Sequence, residues 1–449
     1  MKQIPTAPRA LPVAGHLLSL LRDPYGFIAA LPRHGELVQV RLGPFTVIVV
    51  CDAGLTYEVL RDDRTFDKGG PLFDRLREVT GNGLASCPRS DHRRQRRLAQ
   101  PAFQASRLPG YAEAMTACIL QVTSSWRDGQ VLDVPAEMGT ITSRAVTATM
   151  FSDALTFQAL DSLLDDVRTV TEGIVQRMVM FPPLDRLPTS ANRAYWRARS
   201  RLRHTLGQVI ATRRANGGGY EDLLAALLAA RDEETGGHGL TDTEITDAFV
   251  TFFLAGTDTT GTALAWALHL IAGHPAIEQR LHAEVDAVLA GRPATHADLP
   301  RLELTGRVIT ETLRLYPPGW LITRTVTAGT RLGRHDLPAG ATVAYSPYLI
   351  HRRDDLYDAP ESFDPDRWGP GRPQPPRQAC LPFGGGARKC IGDTFAMAEA
   401  TLALATIVGC WRLQSLDQRP VRPALSLVAH PHRLRMRTVS RDRTAPAAS

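Results

Sequence analysis

The six cysteines of this chain include no CxxC pair. Cys51, Cys87, Cys118, Cys380, Cys390 and Cys410 lie far apart, and no histidine stands at zinc-ligand spacing from them, which excludes a zinc finger and argues against a disulfide framework. A reducing cytosol suits such a set. Basic runs are also missing: the formal net charge is +6 over 449 residues, and the cations, almost all arginine, are scattered. That pattern speaks against nucleic acid and better fits an acidic protein partner. No internal repeat is present, and low complexity is confined to the tail SRDRTAPAAS, which is expected to fray. The apolar stretch near the N-terminus (MKQIPTAPRALPVAGHLLSLLRDP) is broken by His16 and preceded by prolines. It is too short to span a bilayer, lacks a small-residue cleavage site, and reads as the start of a soluble, cytoplasmic protein with no membrane anchor.

What is present is an ordinary globular composition, 43% hydrophobic and 22% charged. Length alone would allow two or three domains. One segment, Ala248 to Pro275, is long and apolar enough to span a membrane, but it carries Asp258 near its middle among threonines and glycines. An acid at bilayer depth is costly, whereas a helix buried through a large soluble core explains the pattern without that cost. Strand-like runs occur near the start (ELVQVRL, FTVIVV) and around Thr342 to Pro347 (TVAYSP). Between them YAEAMTACILQVTSSW, RVITETLRLY and AMAEATLALATIVG read as helices, and GGGYED and ETGGHGLTD as loops. The expected fold is mainly α with a smaller β-rich part (α+β), its strands drawn from both ends of the chain.

Near the C-terminal end stands FGGGARKCIG, Phe383 to Gly392. A Walker-type phosphate loop needs Ser or Thr after its lysine, and here Lys389 is followed by Cys390, so that reading fails. A cysteine nucleophile needs a base; none flanks the loop, and a base from elsewhere in the chain leaves the reading open. The loop also offers two cations, glycine N–H groups and a helix N-terminus near Ile391, an environment expected to keep sulfur ionised as a metal ligand requires.

The same ten residues fill every fixed position of FxxGxRxCxG, with Phe383, Gly386, Arg388, Cys390 and Gly392, and so resemble the signature of the cytochrome P-450 haem-thiolate superfamily. Four further stretches resemble that family in the right order. ITETLRLYPP holds Glu311 and Arg314, three apart on one helical face; alone it would read as a surface ion pair. ESFDPDRW supplies Arg367, which by resemblance completes a structural charge network with them. AGTDTT places Asp258 beside Thr259, an acid and an alcohol able to relay protons in a dry site. SDHRRQRRLAQPAF holds His92 and Arg96 at the positions of a propionate-binding helix, with histidine where many relatives have tryptophan, and LITRTV adds Arg324.

The resemblance covers the chain to about Arg437 and implies one haem-thiolate monooxygenase domain over residues 1–439, monomeric, followed by a tail at 440–449. It implies haem b ligated at its iron by the Cys390 thiolate, with Phe383 against the sulfur loop and His92, Arg96, Arg324 and Arg388 on the propionates. Cysteinate ligation favours O–O cleavage. Dioxygen would be the second substrate, with electrons from NAD(P)H through a separate ferredoxin and ferredoxin reductase, an acidic partner docking near Arg388 and Lys389. Substrate-contact regions map onto Leu72 and Phe73, Phe252 and Phe253, Ala255, Trp320 to Ile322, and Leu425 to Val428, Leu427 included; these suit a small hydrophobic substrate. FDKGGPLFDRLREVTGNGLASC and NRAYWRARSRL look most like the actinobacterial sesquiterpene oxidases of the pentalenene oxygenase type. A fatty acid or polyketide hydroxylase on the same scaffold, or a non-catalytic haem sensor, are the competing expectations.

Overall fold

β-branched residues on either side of a tight turn at Gly43 and Pro44, where Gly43 takes φ +59°, build the first hairpin. Strand β1 (Leu37–Leu42) pairs antiparallel with β2 (Phe45–Val50) in the register Leu37 with Val50. These and the elements below come from a computed structural model that describes residues 3–152, 157–179, 185, 187–216, 219–416 and 420–441. The expected tail at 440–449 lies outside the described residues from 442 onward.

Helix α1 (Ala53–Arg61) and strand β3 (Phe66–Asp67) follow, then α2 (Pro71–Thr80), α3 (Arg89–Ala99), α4 (Leu108–Thr123), α5 (Val134–Phe151), α6 (Phe157–Val179) and α7 (Ser190–Asn216). The long α8 (Asp242–Ala272) crosses the molecule, and α9 (Glu303–Leu315) leads into β4 (Ile322–Val326) and β5 (Thr342–Tyr345). The last helix, α10 (Asp393–Cys410), begins directly after the cysteine loop. The five strands form one sheet in the order β1-β2-β5-β4-β3, in which β2 and β5 run parallel and the other pairs antiparallel. Strands from the two ends of the sequence therefore do meet in one sheet. Residues 131–133, 435–440 and 411–415 make a smaller one.

Helix α8 starts on a reciprocal capping box between Thr241 and Glu244 and is buried on nearly every face. Its neighbour α5 comes very close at two glycines: a Cβ on Gly256 would meet Val146 Cγ2 at 3.0 Å, and one on Gly261 would meet the Gly139 nitrogen at 3.2 Å. Thr142 of α5 donates to the Thr257 carbonyl at 2.8 Å, a cross-helix bond that fixes this contact. Among the described residues the helix long and apolar enough to cross a membrane is α10, and 67% of it is buried against its neighbours.

The expected charge network is buried at the end of α9. Arg314 grips Glu311 with both prongs, Nη2 to Oε1 at 2.7 Å and Nε to Oε2 at 2.8 Å, and both side chains are wholly inaccessible. Arg314 also donates to the carbonyls of His351, Pro360 and Ser362. Arg367 Nε lies 3.6 Å from Glu311 Oε1, and the Trp368 indole donates to Oε2 at 2.8 Å. The bidentate pair lies within α9, and the bonds from Arg314 to the three carbonyls and from Trp368 to Glu311 tie that helix to the 351–368 segment. Removing one partner leaves a buried charge unmet, so Arg314→Ala is expected to lose about 3–5 kcal/mol of stability, read as the shift of a denaturant midpoint.

Candidate functional site

A cavity of about 430 Å³ lies between α8, the loop leading to α10, and the β4–β5 edge of the sheet. Its wall takes in Cys390 and Phe383, the α8 residues Phe252, Ala255, Asp258 and Thr259, and the apolar side chains of Leu72, Phe73, Leu321, Ile322, Leu427 and Val428. Some of the expected wall residues lie elsewhere. Phe253 follows Phe252 by one helical step, about 100° around α8, and so points into the core, where it is 1% exposed. Trp320 is buried against Tyr25 with its indole N–H on the Ser426 carbonyl at 3.0 Å. Leu425 is on the outer surface.

The cysteine loop is shaped by its glycines. Gly386 sits at φ +65°, and a Cβ there would lie 2.0 Å from the Leu60 carbonyl oxygen at the end of α1, so only glycine lets the loop approach. Cys390 N–H donates to the Phe383 carbonyl at 2.9 Å, closing the turn. The surface that Cys390 exposes opens into the cavity. Enclosed in this way, its thiol is pushed up by burial; the Gly392 N–H, Arg96 and Lys389 pull it down and Asp393 pushes it up again. The loop by itself therefore does not hold the sulfur ionised, contrary to the reading from sequence: desolvation outweighs the cations, and a metal cation is needed to complete the thiolate. Lys389 is half exposed and paired with Asp393 at 2.5 Å, the first turn of α10.

Positive charge crowds the other end of the cavity. Arg324 on β4 and Arg388 line it, both buried. So does Lys68, a residue that sequence reasoning passed over although lysine is scarce in this arginine-rich chain. Lys68 donates to the Ala85 carbonyl at 2.6 Å, and burial with Arg324 and Arg388 nearby lowers it to about 7. His92 on α3 is buried with Nε2 unpartnered; burial and four surrounding cations lower it to about 3. Arg388 already has carboxylate company, with Nη2 on Asp67 Oδ1 at 2.6 Å and Nε 3.4 Å from Asp63. Arg96 turns to the backbone, donating to the Lys389 carbonyl at 2.5 Å. An excess of desolvated cations beside an orphaned ring nitrogen fits a ligand that brings two carboxylates.

On α8 the Thr259 hydroxyl donates back to the Ala255 carbonyl at 2.6 Å, while the helix runs on without a break. Burial raises the carboxyl of Asp258 and His430 lowers it; burial lowers His430 and Asp258 raises it. Behind them Glu399 of α10 is wholly buried, both its carboxyl oxygens lack a hydrogen-bond partner among the described residues, and burial pushes it up to about 8, with the nearby Thr260 side chain pulling the other way. Neither His430 nor Glu399 stood out in the sequence, because only the packing of α10 and the 422–432 segment on α8 brings them there.

A cavity whose wall joins a loop cysteine, a cluster of cations and an acid–alcohol pair on a long helix defines a haem-thiolate oxygenase site. The sequence model of the cytochrome P-450 family matches residues 5–436, and the chain belongs to that family as a monooxygenase. Membership implies a haem-thiolate cofactor and dioxygen as co-substrate, and the residues on the wall fit that group. The chain is 45% identical to the pentalenene oxygenase of Streptomyces avermitilis over 438 residues, 97% of each protein. It is 44% identical to the cyclooctatin synthase of Streptomyces melanosporofaciens, over 95% of this chain and 94% of that protein. A cyclooctat-9-en-7-ol 5-monooxygenase from the same organism is 43% identical over 91% and 89%. The crystal structure of the cytochrome P450DA heme domain superposes with a TM-score of 0.89 at 27% identity, covering 98% of both chains.

Glu399 gives a stability test with a definite sign. A carboxyl raised to about 8 in the fold ionises near 4.5 when unfolded, so between those values the folded state holds the extra proton and stability falls as pH rises. Glu399→Gln should match the parent near pH 4.5 and gain on it up to pH 8, by at most ~1.4 kcal/mol per pH unit, measured as melting temperature against pH.

Proposed function

We propose that this protein is a cytoplasmic terpene hydroxylase, carried by one domain over residues 1–439, that inserts one oxygen atom from dioxygen into a C–H bond of a hydrocarbon of sesquiterpene size. When bound, the haem would supply the oxidising power, and Cys390 would hold its iron through the sulfur. Arg324, Lys68 and His92 would hold its carboxylates, with Arg96 and Arg388 framing them and Phe383 beside the cysteine loop. Phe73, Phe252, Ala255, Leu321 and Leu427 shape the substrate space. Thr259 and Asp258 move protons into the dry cavity from Oγ1 and the carboxyl.

The observation that carries the substrate class is the division of the wall. Its cations, Lys68, Arg324 and Arg388, lie close together, where haem carboxylates would meet them, and what remains is mostly apolar, its polar points being Asp258 and the hydroxyls of Thr80, Thr149, Thr171, Thr251, Thr259, Thr260 and Tyr345, with no further cation among the described residues of the wall. A fatty acid would need a cation still free in that remainder. The relatives named for pentalenene and cyclooctatin chemistry support the same reading. Electrons from NAD(P)H would come through a separate ferredoxin and reductase; Arg388, expected at that docking surface, is buried against Asp67, and exposed Arg93 on α3 and Lys389 would receive the acidic partner instead. Free cysteines at all six positions support a reducing compartment.

The test is a screen of terpene hydrocarbons and fatty acids for the low-to-high-spin shift on binding. A sesquiterpene hydrocarbon is expected to give the shift at micromolar concentration, and a shift with fatty acids alone would overturn the assignment. In the loaded enzyme Asp258→Asn is expected to cut product formation by roughly 100-fold, and Thr259→Ala to divert electrons from product to peroxide. Full coupling in both variants would remove these residues from proton delivery.

A further inference from the structure

Residues 422–432 fold back on themselves, with Ala424 N–H donating to the His430 carbonyl at 2.8 Å and His432 N–H to the Arg422 carbonyl at 2.9 Å. Three ring donors pin this hairpin to the body. Tyr25 donates to the Ala424 carbonyl at 3.2 Å, Trp320 to Ser426 at 3.0 Å and Trp266 of α8 to Ala429 at 2.6 Å. Ala429 N–H in turn donates to the Pro318 carbonyl at 3.1 Å. Trp266 is itself held by a flat stack on Tyr316, with ring centroids 3.7 Å apart. A backbone fixed at so many points leaves its side chains little choice: Leu427 and Val428 turn into the cavity, and the His430 ring lies against α8.

There His430 Nδ1 is 2.9 Å from the Thr262 hydroxyl. Thr262 follows Asp258 by four residues, so the two lie one above the other on the same face of α8. Among the described residues, Asp258 is the charged group that acts on His430, and His430 the one that acts on Asp258. The two differ in placement. Both are partly exposed, Asp258 on the cavity wall and His430 off it.

We infer that His430 is a relay residue that recharges Asp258 with protons from outside the cavity. This rests on the reading of Asp258 as a proton donor given above. After Asp258 has released its proton into the cavity, the His430 imidazolium gives one from Nε2 to the Asp258 carboxylate through water, and neutral His430 takes a replacement from solvent. One proton enters for each that leaves, and no electron moves. Thr262, holding Nδ1, fixes the ring so that Nε2 is the exchanging nitrogen. A carboxylate that has given its proton to the cavity must regain one before it can act again, and the titratable group placed beside it off the cavity wall is His430.

The test uses the haem-loaded enzyme in its diamagnetic reduced carbon monoxide form, with labelled histidine. The imidazole signal that disappears in His430→Gln identifies the ring in the parent. In Asp258→Asn that signal is expected to titrate at lower pH than in the parent, since the carboxylate that favours the imidazolium is gone; an unmoved titration would overturn the pairing. That measurement does not depend on His430→Gln folding well. In turnover, His430→Gln, which keeps a hydrogen-bonding group for Thr262, is expected to lose roughly tenfold in product per NAD(P)H while its substrate-induced spin shift stays unchanged. Full coupling in His430→Gln with impaired Asp258→Asn would sink the relay alone. Full coupling in Asp258→Asn would sink the reading beneath it.

Discussion

Taking a cation out of water costs several kcal/mol unless an anion meets it. The wall formed by Lys68, Arg324 and Arg388 does this three times, with Asp67 and Asp63 as the carboxylates that approach Arg388. Much of the architecture serves to hold that unbalanced charge in place. Strand β4 carries Arg324 opposite Val343 of β5, β3 presents Asp67, and α1 supports the loop that carries Arg388. A cofactor that brought the missing negative charge here would add its binding energy to the stability of the fold.

The second organising element is α8, which is asked to be apolar, closely packed and reactive at once. Glycines 256 and 261 let α5 approach, and the cross-bond from Thr142 holds the helix against it. The face turned to the cavity carries Ala255, Asp258 and Thr259, so the same 31 residues supply both the core's central beam and a polar notch on the cavity wall. Rigid support behind a small reactive patch is what precise positioning requires.

Much of this was legible in the residues. The cysteine signature, the acid–alcohol pair and the Glu311–Arg314–Arg367 network all sit within short stretches whose spacing survives folding, and the structure brings each to one place. Phe253 shows where local reading stops: an aromatic beside a wall residue looks identical in sequence, and only the turn of the helix sends it into the core. Lys68 and His430 were missed for the opposite reason. Each becomes significant through partners far along the chain, Arg388 for one and Asp258 for the other. The ionisation of Cys390 was misjudged because sequence displays neighbouring charges but not enclosure, and enclosure is the larger effect.

The parallel pairing of β2 with β5 joins residues 47–50 to residues 342–345. During synthesis the first hairpin therefore waits, with an unpaired edge, until roughly three hundred more residues have been made, and contacts closed over so long a loop are slow to form. Arg324 and Cys390 reach the cavity only after that late closure. A ribosome-bound chain of this protein would hold a largely helical body well before it could grip its cofactor, and supply of haem would matter most in the interval just after release.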